Sequence, residues 1–170
     1  VDLMRTAYEL AEKYRVVTVF MTEGALGQMM EPCELPDFID QPTLPWGFDG
    51  KYSYKKIGIF DRDSMKEAGT LNKKHEAIRA NEQRWEAEGL EDADYVLVAY
   101  GLPGRVVKGT VRAMRAEGQK VGFIRPITAW PFPVKAFAAV NPQVKGFVTV
   151  EANATGQMID DVALAVKKTF

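Results

Sequence analysis

The chain has one cysteine in its 170 residues, Cys33. An internal disulfide is therefore excluded. So is an iron–sulfur cluster held by this chain alone, because such clusters generally take four thiolates. The one histidine, His75, argues against a zinc site of His and Cys ligands. The longest apolar runs are about six residues, against the ~20 needed to span a bilayer, and no signal peptide is expected. No membrane partner and a cytoplasmic location are expected. A basic surplus is missing too: 22 Lys and Arg face 23 Asp and Glu, for a net charge of −1. Nucleic-acid binders usually show a strong basic excess, so no nucleic-acid partner is expected.

What remains is an ordinary globular composition, 46% hydrophobic and 26% charged, which excludes disordered, collagen-like and coiled-coil chains. At roughly 150 residues per domain, the length predicts one domain plus a remainder. The chain begins at Val1 rather than Met, so a fragment of a longer protein is expected. The near-zero charge conceals a split. Residues 1–98 hold 12 basic and 19 acidic residues, whereas residues 99–170 hold 10 and 4. The two halves are thus free to attract each other or to see different partners.

Leu3, Met4, Ala7, Leu10, Ala11 and Tyr14 keep the spacing of one apolar helix face, which predicts a helix over 2–14 with Asp2 as its N-cap. The β-branched run Val16 to Met21 reads as a buried strand, and Gly24 to Met30 as a short helix or turn. Pro32, Pro36, Pro42 and Pro45 crowd fourteen residues and mark 31–56 as an extended linker, anchored by Trp46 and Phe48. Ile57 to Phe60 is a candidate strand. Residues 64–89 read as a charged helix whose seam is Leu71, Ile78 and Trp85. From Asp94 onward, apolar strands at 95–100, 121–124 and 146–150 alternate with helices at 103–117, 132–140 and 156–168. Val106, Val107, Val111 and Met114 are expected inward on the first of these, with Gly118 closing it. The last helix is expected to carry Met158, Ile159, Val162, Ala163 and Val166 on its apolar faces. Strands apolar on both faces between helices predict a mainly parallel sheet covered on both sides.

In such a sheet, ligands collect at the carboxyl ends of the strands. Three strand ends carry distinctive residues. They are Tyr100 to Arg105, with Gly101 and Arg105; Arg125 to Pro133, with Arg125 and Thr128; and Glu151 to Gln157, with Glu151, Asn153 and Gly156. The first and third precede helices, whose N-termini suit anions. Gly101 and Gly104 make G-x-x-G, short of a dinucleotide fingerprint, and a tight strand-to-helix turn is the plainer account of them. Glu151 and Asn153 are expected to orient a substrate, to bridge subunits or to cap the following helix. Arg105, Lys108, Arg112 and Arg115 step along one helix face, either as a basic docking face for an acidic subunit or a nucleotide-bearing cofactor, or as a solvated face. His75 is expected on an exposed helix, and Cys33 as an inert, at least partly buried thiol. No metal site is expected.

The stretch VGFIRPITAWPFP (121–133), followed by a strand and VEANATGQM (150–158), resembles the α subunit of the 2-oxoacid:ferredoxin oxidoreductases. GALGQMMEPCELPD (24–37) resembles the linker leaving that subunit's pyrimidine-binding domain. NEQRWE (81–86) and DADYVLVAYG (92–101) resemble the branch acting on branched-chain 2-oxoacids, the 2-oxoisovalerate type. The resemblance implies three regions: 1–30 as the end of a thiamine pyrimidine-binding domain, 31–56 as linker, and 57–170 as a domain similar to the transketolase C-terminal domain. It implies a complex that turns a 2-oxoacid and coenzyme A into an acyl-CoA and CO2 while reducing ferredoxin. Thiamine diphosphate and Mg2+ are implied between the α subunit's pyrimidine domain and a thiamine-binding β subunit, and iron–sulfur clusters in other chains. The family's thiamine-activating glutamate belongs to the early pyrimidine domain, and the G-D-G…N signature for Mg-diphosphate is missing here, so no cofactor and no catalysis are expected of these residues alone. Where the family usually reads VEMN-x-GQ, this chain has Ala152 for Met and one residue more. Competing expectations are the β subunit of a 2-oxoacid dehydrogenase and a stand-alone flavodoxin-like binding module.

Overall fold

The computed structural model describes residues 2–38, 40 and 64–169. The chain divides into two compact units, Val1–Phe20 with Met30–Lys74, and Met21–Met29 with His75–Phe170.

The second unit holds the sheet. Its strands are β1 (Trp85–Glu88), β2 (Tyr95–Ala99), β3 (Val121–Pro126) and β4 (Gly146–Val150), in the order β1-β3-β2-β4. β2 runs parallel to both β3 and β4, and β1 closes one edge antiparallel to β3. Side-chain alternation gives the central strands two buried faces. Val96, Val98 and Ile124 point to one side. They pack there with Ala136 and Phe137 of the 3₁₀ helix Val134–Ala139 and with Met158, Val162 and Ala165 of the last helix, Met158–Thr169. Ala99, Val121 and Phe123 point the other way, onto Val107 and Val111 of the helix Gly101–Ala116. The α/β class, the mainly parallel sheet and the helices on both faces stand as expected. In chain order the α-helices are α1 (Asp2–Tyr14), α2 (Gly24–Gln28), α3 (Ser64–Asn81), α4 (Gly101–Ala116) and α5 (Met158–Thr169).

Several local expectations change. α1 begins at Asp2 itself, so Asp2 lies in the first turn, where its charge still suits the helix dipole, rather than at the cap. Val16 to Met21 forms no strand, and Val17 is 88% exposed. A buried strand needs hydrogen-bonded neighbours, and the sheet formed among the described residues does not include this run. The helix expected over 64–89 stops at Asn81. Its last carbonyls are taken by side chains: Asn81 Nδ2 donates to Ala77 O at 2.9 Å, Gln83 Nε2 to Arg79 O at 2.7 Å, and Lys135 Nζ to Ala80 O. Trp85 to Glu88 then becomes the antiparallel edge strand. Of the seven-residue seam only Ile78 is buried, while Leu71 and Trp85 are exposed. Val106 faces solvent rather than the core, as do Ile159 and Ala163 of α5. Gly118 follows α4 at φ +86°, in the conformation a helix-closing glycine takes. Cys33 is exposed, in a stretch without regular structure, rather than sheltered. The expected anchors Trp46 and Phe48 and the strand Ile57 to Phe60 lie outside the described residues.

Candidate functional site

Because β2, β3 and β4 are parallel, their carboxyl ends share one edge, and the three predicted segments lie along it. Each is held differently.

After β4, Glu151 folds the loop back onto α5. Its Oε1 accepts the Met158 amide at 2.9 Å. Its Oε2 accepts the Gln157 amide at 3.0 Å and Asn153 Nδ2 at 2.8 Å. Asn153 Oδ1 in turn accepts the Gly156 amide at 2.5 Å. Gly156 sits at φ +67°, where a side chain is strained. Glu151, Asn153 and Gly156 are thus brought together, with the carboxylate at the helix N-terminus. Partial burial pushes the Glu151 carboxyl up, but the Met158 amide, the Asn153 side chain and the Gln157 and Ile159 amides outweigh it and hold it below the ordinary carboxylate range. A carboxyl lowered in the folded state stabilises fully above its unfolded pKa of about 4.5 and loses that contribution as pH falls through the folded value. Glu151→Ala is expected to destabilise the unit by about 1–2 kcal/mol at pH 7. Amide exchange at Gln157 and Met158 should rise at neutral pH in the variant, and in the parent only as the medium is acidified below about 4.5. Unchanged protection in the variant would contradict the capping role.

After β2, α4 starts at Gly101, at φ +59°. Here an unexpected residue enters: Glu23 Oε2 accepts the Leu102 amide at 2.7 Å, and a side chain on Gly101 would meet that same oxygen at 3.0 Å. Tyr100, at the cap position, contributes no side-chain bond to the helix. The helix start that suits an anion therefore receives a carboxylate from the chain itself.

After β3, Arg125 and Thr128 part company. Arg125 is paired across the sheet with Glu86 of β1, its Nη1 is 3.6 Å from a Glu86 oxygen, and its Cδ packs near Gly104. Thr128 belongs to the turn 127–131. Its Oγ1 donates to Pro131 O at 2.8 Å and accepts the Arg84 amide at 3.1 Å. Trp130 is 52% exposed and lies against His75, at a ring distance of 5.7 Å, and Arg79, at 6.0 Å. His75 is half-buried by that contact rather than fully on the surface.

The basic face is answered within the unit. Lys108 pairs with Glu86 and Glu88, Arg112 grips Glu88 with two bonds of 2.6 and 2.8 Å, and Arg115 meets Asp92 at 2.8 Å. Arg112 holds the Glu88 carboxyl below its ordinary range, and Arg115 does the same to Asp92. Arg105 lies exposed on the same helix. The expected docking face is thus matched largely to the chain's own acidic edge strand. That partner was hidden because 82–89 read as helix. Glu86 and Glu88 alternate as strand residues do, which was the available signal.

An iron–sulfur cluster does not fit a chain with one cysteine. Among the described residues, no group of three His, Cys, Asp or Glu is placed to hold a metal ion. None of the described helices is long and apolar enough to cross a membrane.

A mostly parallel α/β domain with its distinctive loops on the carboxyl edge is the class that this geometry defines. Within it, residues 93–169 match the family described as pyruvate:ferredoxin oxidoreductase core domain II. The ketoisovalerate oxidoreductase subunit VorB of Methanothermobacter marburgensis is 39% identical over 96% of this chain and 48% of its own length. The 2-oxoglutarate synthase subunit KorA of Methanocaldococcus jannaschii is 29% identical over 98% of this chain and 55% of its own. A solved 2-oxoglutarate:ferredoxin oxidoreductase from Magnetococcus marinus, with 2-oxoglutarate, coenzyme A and succinyl-CoA bound, shares the fold at a TM-score of 0.57 and 22% identity, over 72% of this chain and 23% of its own. Over nearly its whole length the chain is similar to subunits of 2-oxoacid oxidoreductases, and residues 93–169 match the ferredoxin-oxidoreductase core domain. It spans about half the length of the curated relatives it matches.

Proposed function

We propose that this chain works within a multi-subunit oxidoreductase that converts a 2-oxoacid, coenzyme A and oxidised ferredoxin into an acyl-CoA, CO2 and reduced ferredoxin, with branched-chain 2-oxoacids preferred. The observation that carries this reading is the 39% identity to a ketoisovalerate oxidoreductase subunit across nearly the whole chain. The thiamine diphosphate, Mg2+ and iron–sulfur chemistry would come from elsewhere in the complex: a thiamine-binding β subunit, an iron–sulfur subunit and the rest of a pyrimidine domain whose end is residues 1–30. Residues 31–56 would be the linker and 57–170 the domain that shapes the active-site edge.

The roles proposed for this chain are positional. Arg125 supplies a cation at the row where β3 ends, with Thr128 setting the turn beyond it. Gly101 and Arg105 form the α4 side of the edge, and Glu151, Asn153 and Gly156 the α5 side. Lys108 and Arg112 hold β1 in place, Arg115 holds the loop after it through Gly89 O and Asp92, and Arg112, the most exposed of the three, remains able to meet a partner. The comparisons do not favour a dehydrogenase β subunit or a stand-alone module.

The assembled complex, carrying the full-length subunit, should be assayed with 2-oxoisovalerate, 2-oxoglutarate and pyruvate, using coenzyme A and ferredoxin. A kcat/KM at least about tenfold higher for 2-oxoisovalerate is expected, the size of discrimination that a few methylenes in an apolar pocket supply. Turnover with lipoamide in place of ferredoxin would sink the reading, and a preference for 2-oxoglutarate would correct its substrate.

A further inference from the structure

The NEQRWE segment carries an unusual residue. Glu82 is 4% exposed, the one buried charged side chain among the described residues. Burying a carboxylate is unfavourable unless it is paired, and even a paired one is weak evidence of stability. A buried pair therefore invites the question of what geometry it sets.

Glu82 ends the last turn of α3, its amide bonded to Ile78 O at 2.9 Å. Its Oε2 accepts Arg84 Nη1 at 3.1 Å, and the same nitrogen lies 3.4 Å from Glu82 O. The ion pair thus closes the three-residue bend from helix into β1 by its side chains. The backbone inside that bend does a second task. Arg84 O accepts the Ile127 amide at 3.0 Å and the Thr128 amide at 3.2 Å, and Arg84 N donates to Thr128 Oγ1. Gln83 Oε1 adds the Lys135 amide at 3.0 Å. The turn after β3 therefore takes its position from the bend, not from β3 alone. It is the turn that brings Trp130 to the carboxyl edge.

We propose that Glu82 is a positioning residue. Through Arg84 it sets the 127–131 turn at the carboxyl edge of β3, and so the placement of the active-site edge. The inference rests on the function proposed above for that edge. A misplacement of about 1 Å in such a support can lower turnover by up to about a hundredfold.

The test uses the assembled complex with Glu82→Gln in the full-length subunit. This variant keeps the shape of the side chain and removes its charge. Amide exchange of Ile127 and Thr128 should rise at least about tenfold, kcat should fall about tenfold or more, and KM should move less than about threefold. Glu82→Asp, which restores the charge, should recover part of both effects. If Ile127 and Thr128 exchange as in the parent, the proposal is wrong. It is equally wrong if the kcat loss follows only the fraction of unfolded protein, read from the melting curve, or if Glu82→Asp behaves no better than Glu82→Gln. A parent complex inactive on every 2-oxoacid would remove the functional reading, while the exchange result would still judge the link between Glu82 and the turn.

Discussion

Phe137→Ala is expected to destabilise the sheet-bearing unit by about 3–5 kcal/mol, the range for emptying a fully buried aromatic site. Phe137 has no exposed surface and sits on the 3₁₀ helix between the Phe132 and Phe147 rings, whose centroids are 6.2 and 5.6 Å away. It belongs to the same cluster as Val96, Val98 and Ile124 of the sheet and Met158, Val162 and Ala165 of α5. Removing the ring takes apolar contact from the sheet, the 3₁₀ helix and α5 together, so the site has little freedom to collapse. Native domains hold only about 5–15 kcal/mol in all. A urea melt should therefore show a much lower midpoint with little change in slope, and Phe137→Leu should fall between. A loss under about 1 kcal/mol would mean that α5 and the 3₁₀ helix do not depend on this ring.

Gly122→Ala should cost about 1–3 kcal/mol, the range for overpacking, although it adds a single methyl group. A Cβ on Gly122 would lie 2.9 Å from Gly89 O, 3.1 Å from Leu90 Cδ2 and 3.2 Å from Ala93 Cβ. The carbonyl cannot turn aside as a long side chain can, so the 89–93 loop must shift. That loop also carries Asp92, the partner of Arg115, and Arg115 itself reaches Gly89 O and Val121 O. Strain at Gly122 is therefore transmitted to the end of α4. Gly109→Ala makes the comparison. Nothing lies within 4 Å of a Cβ there, so the helix preference for alanine should stabilise the chain by about 0.5–1 kcal/mol. Opposite signs in thermal melts are the expected outcome. A stabilising Gly122→Ala would show that the 89–93 loop is not held against β3.

The carboxyl-edge residues were legible from the strand ends, but their chemistry was divided on folding. Glu151, Asn153 and Gly156 do form one group, and it is the capping alternative that their bonds express. Arg125 and Thr128, three residues apart, serve different neighbours because the chain leaves β3 between them. Glu23 was invisible as a helix cap, since it lies 79 residues from the amide that it accepts. Glu82 gave no signal beyond its place in a familiar-looking segment.

The sequence by itself determined the α/β class, the helices over α1, α4 and α5, the parallel central strands and the likeness to the 2-oxoacid:ferredoxin oxidoreductases. Each of these is written in local periodicity, in turn glycines or in ordered motifs, and needs no distant partner to be read. Tertiary structure alone decided where α3 stops and that 85–88 pairs with β3. It also decided that the acidic and basic halves meet as Glu86 and Glu88 against Lys108 and Arg112, and that Val16 to Met21 stays out of the sheet. The physical reason is common to all four. Edge strands, helix ends and ion pairs depend on which donors and acceptors a remote segment brings within reach, and short-range pattern carries no record of that.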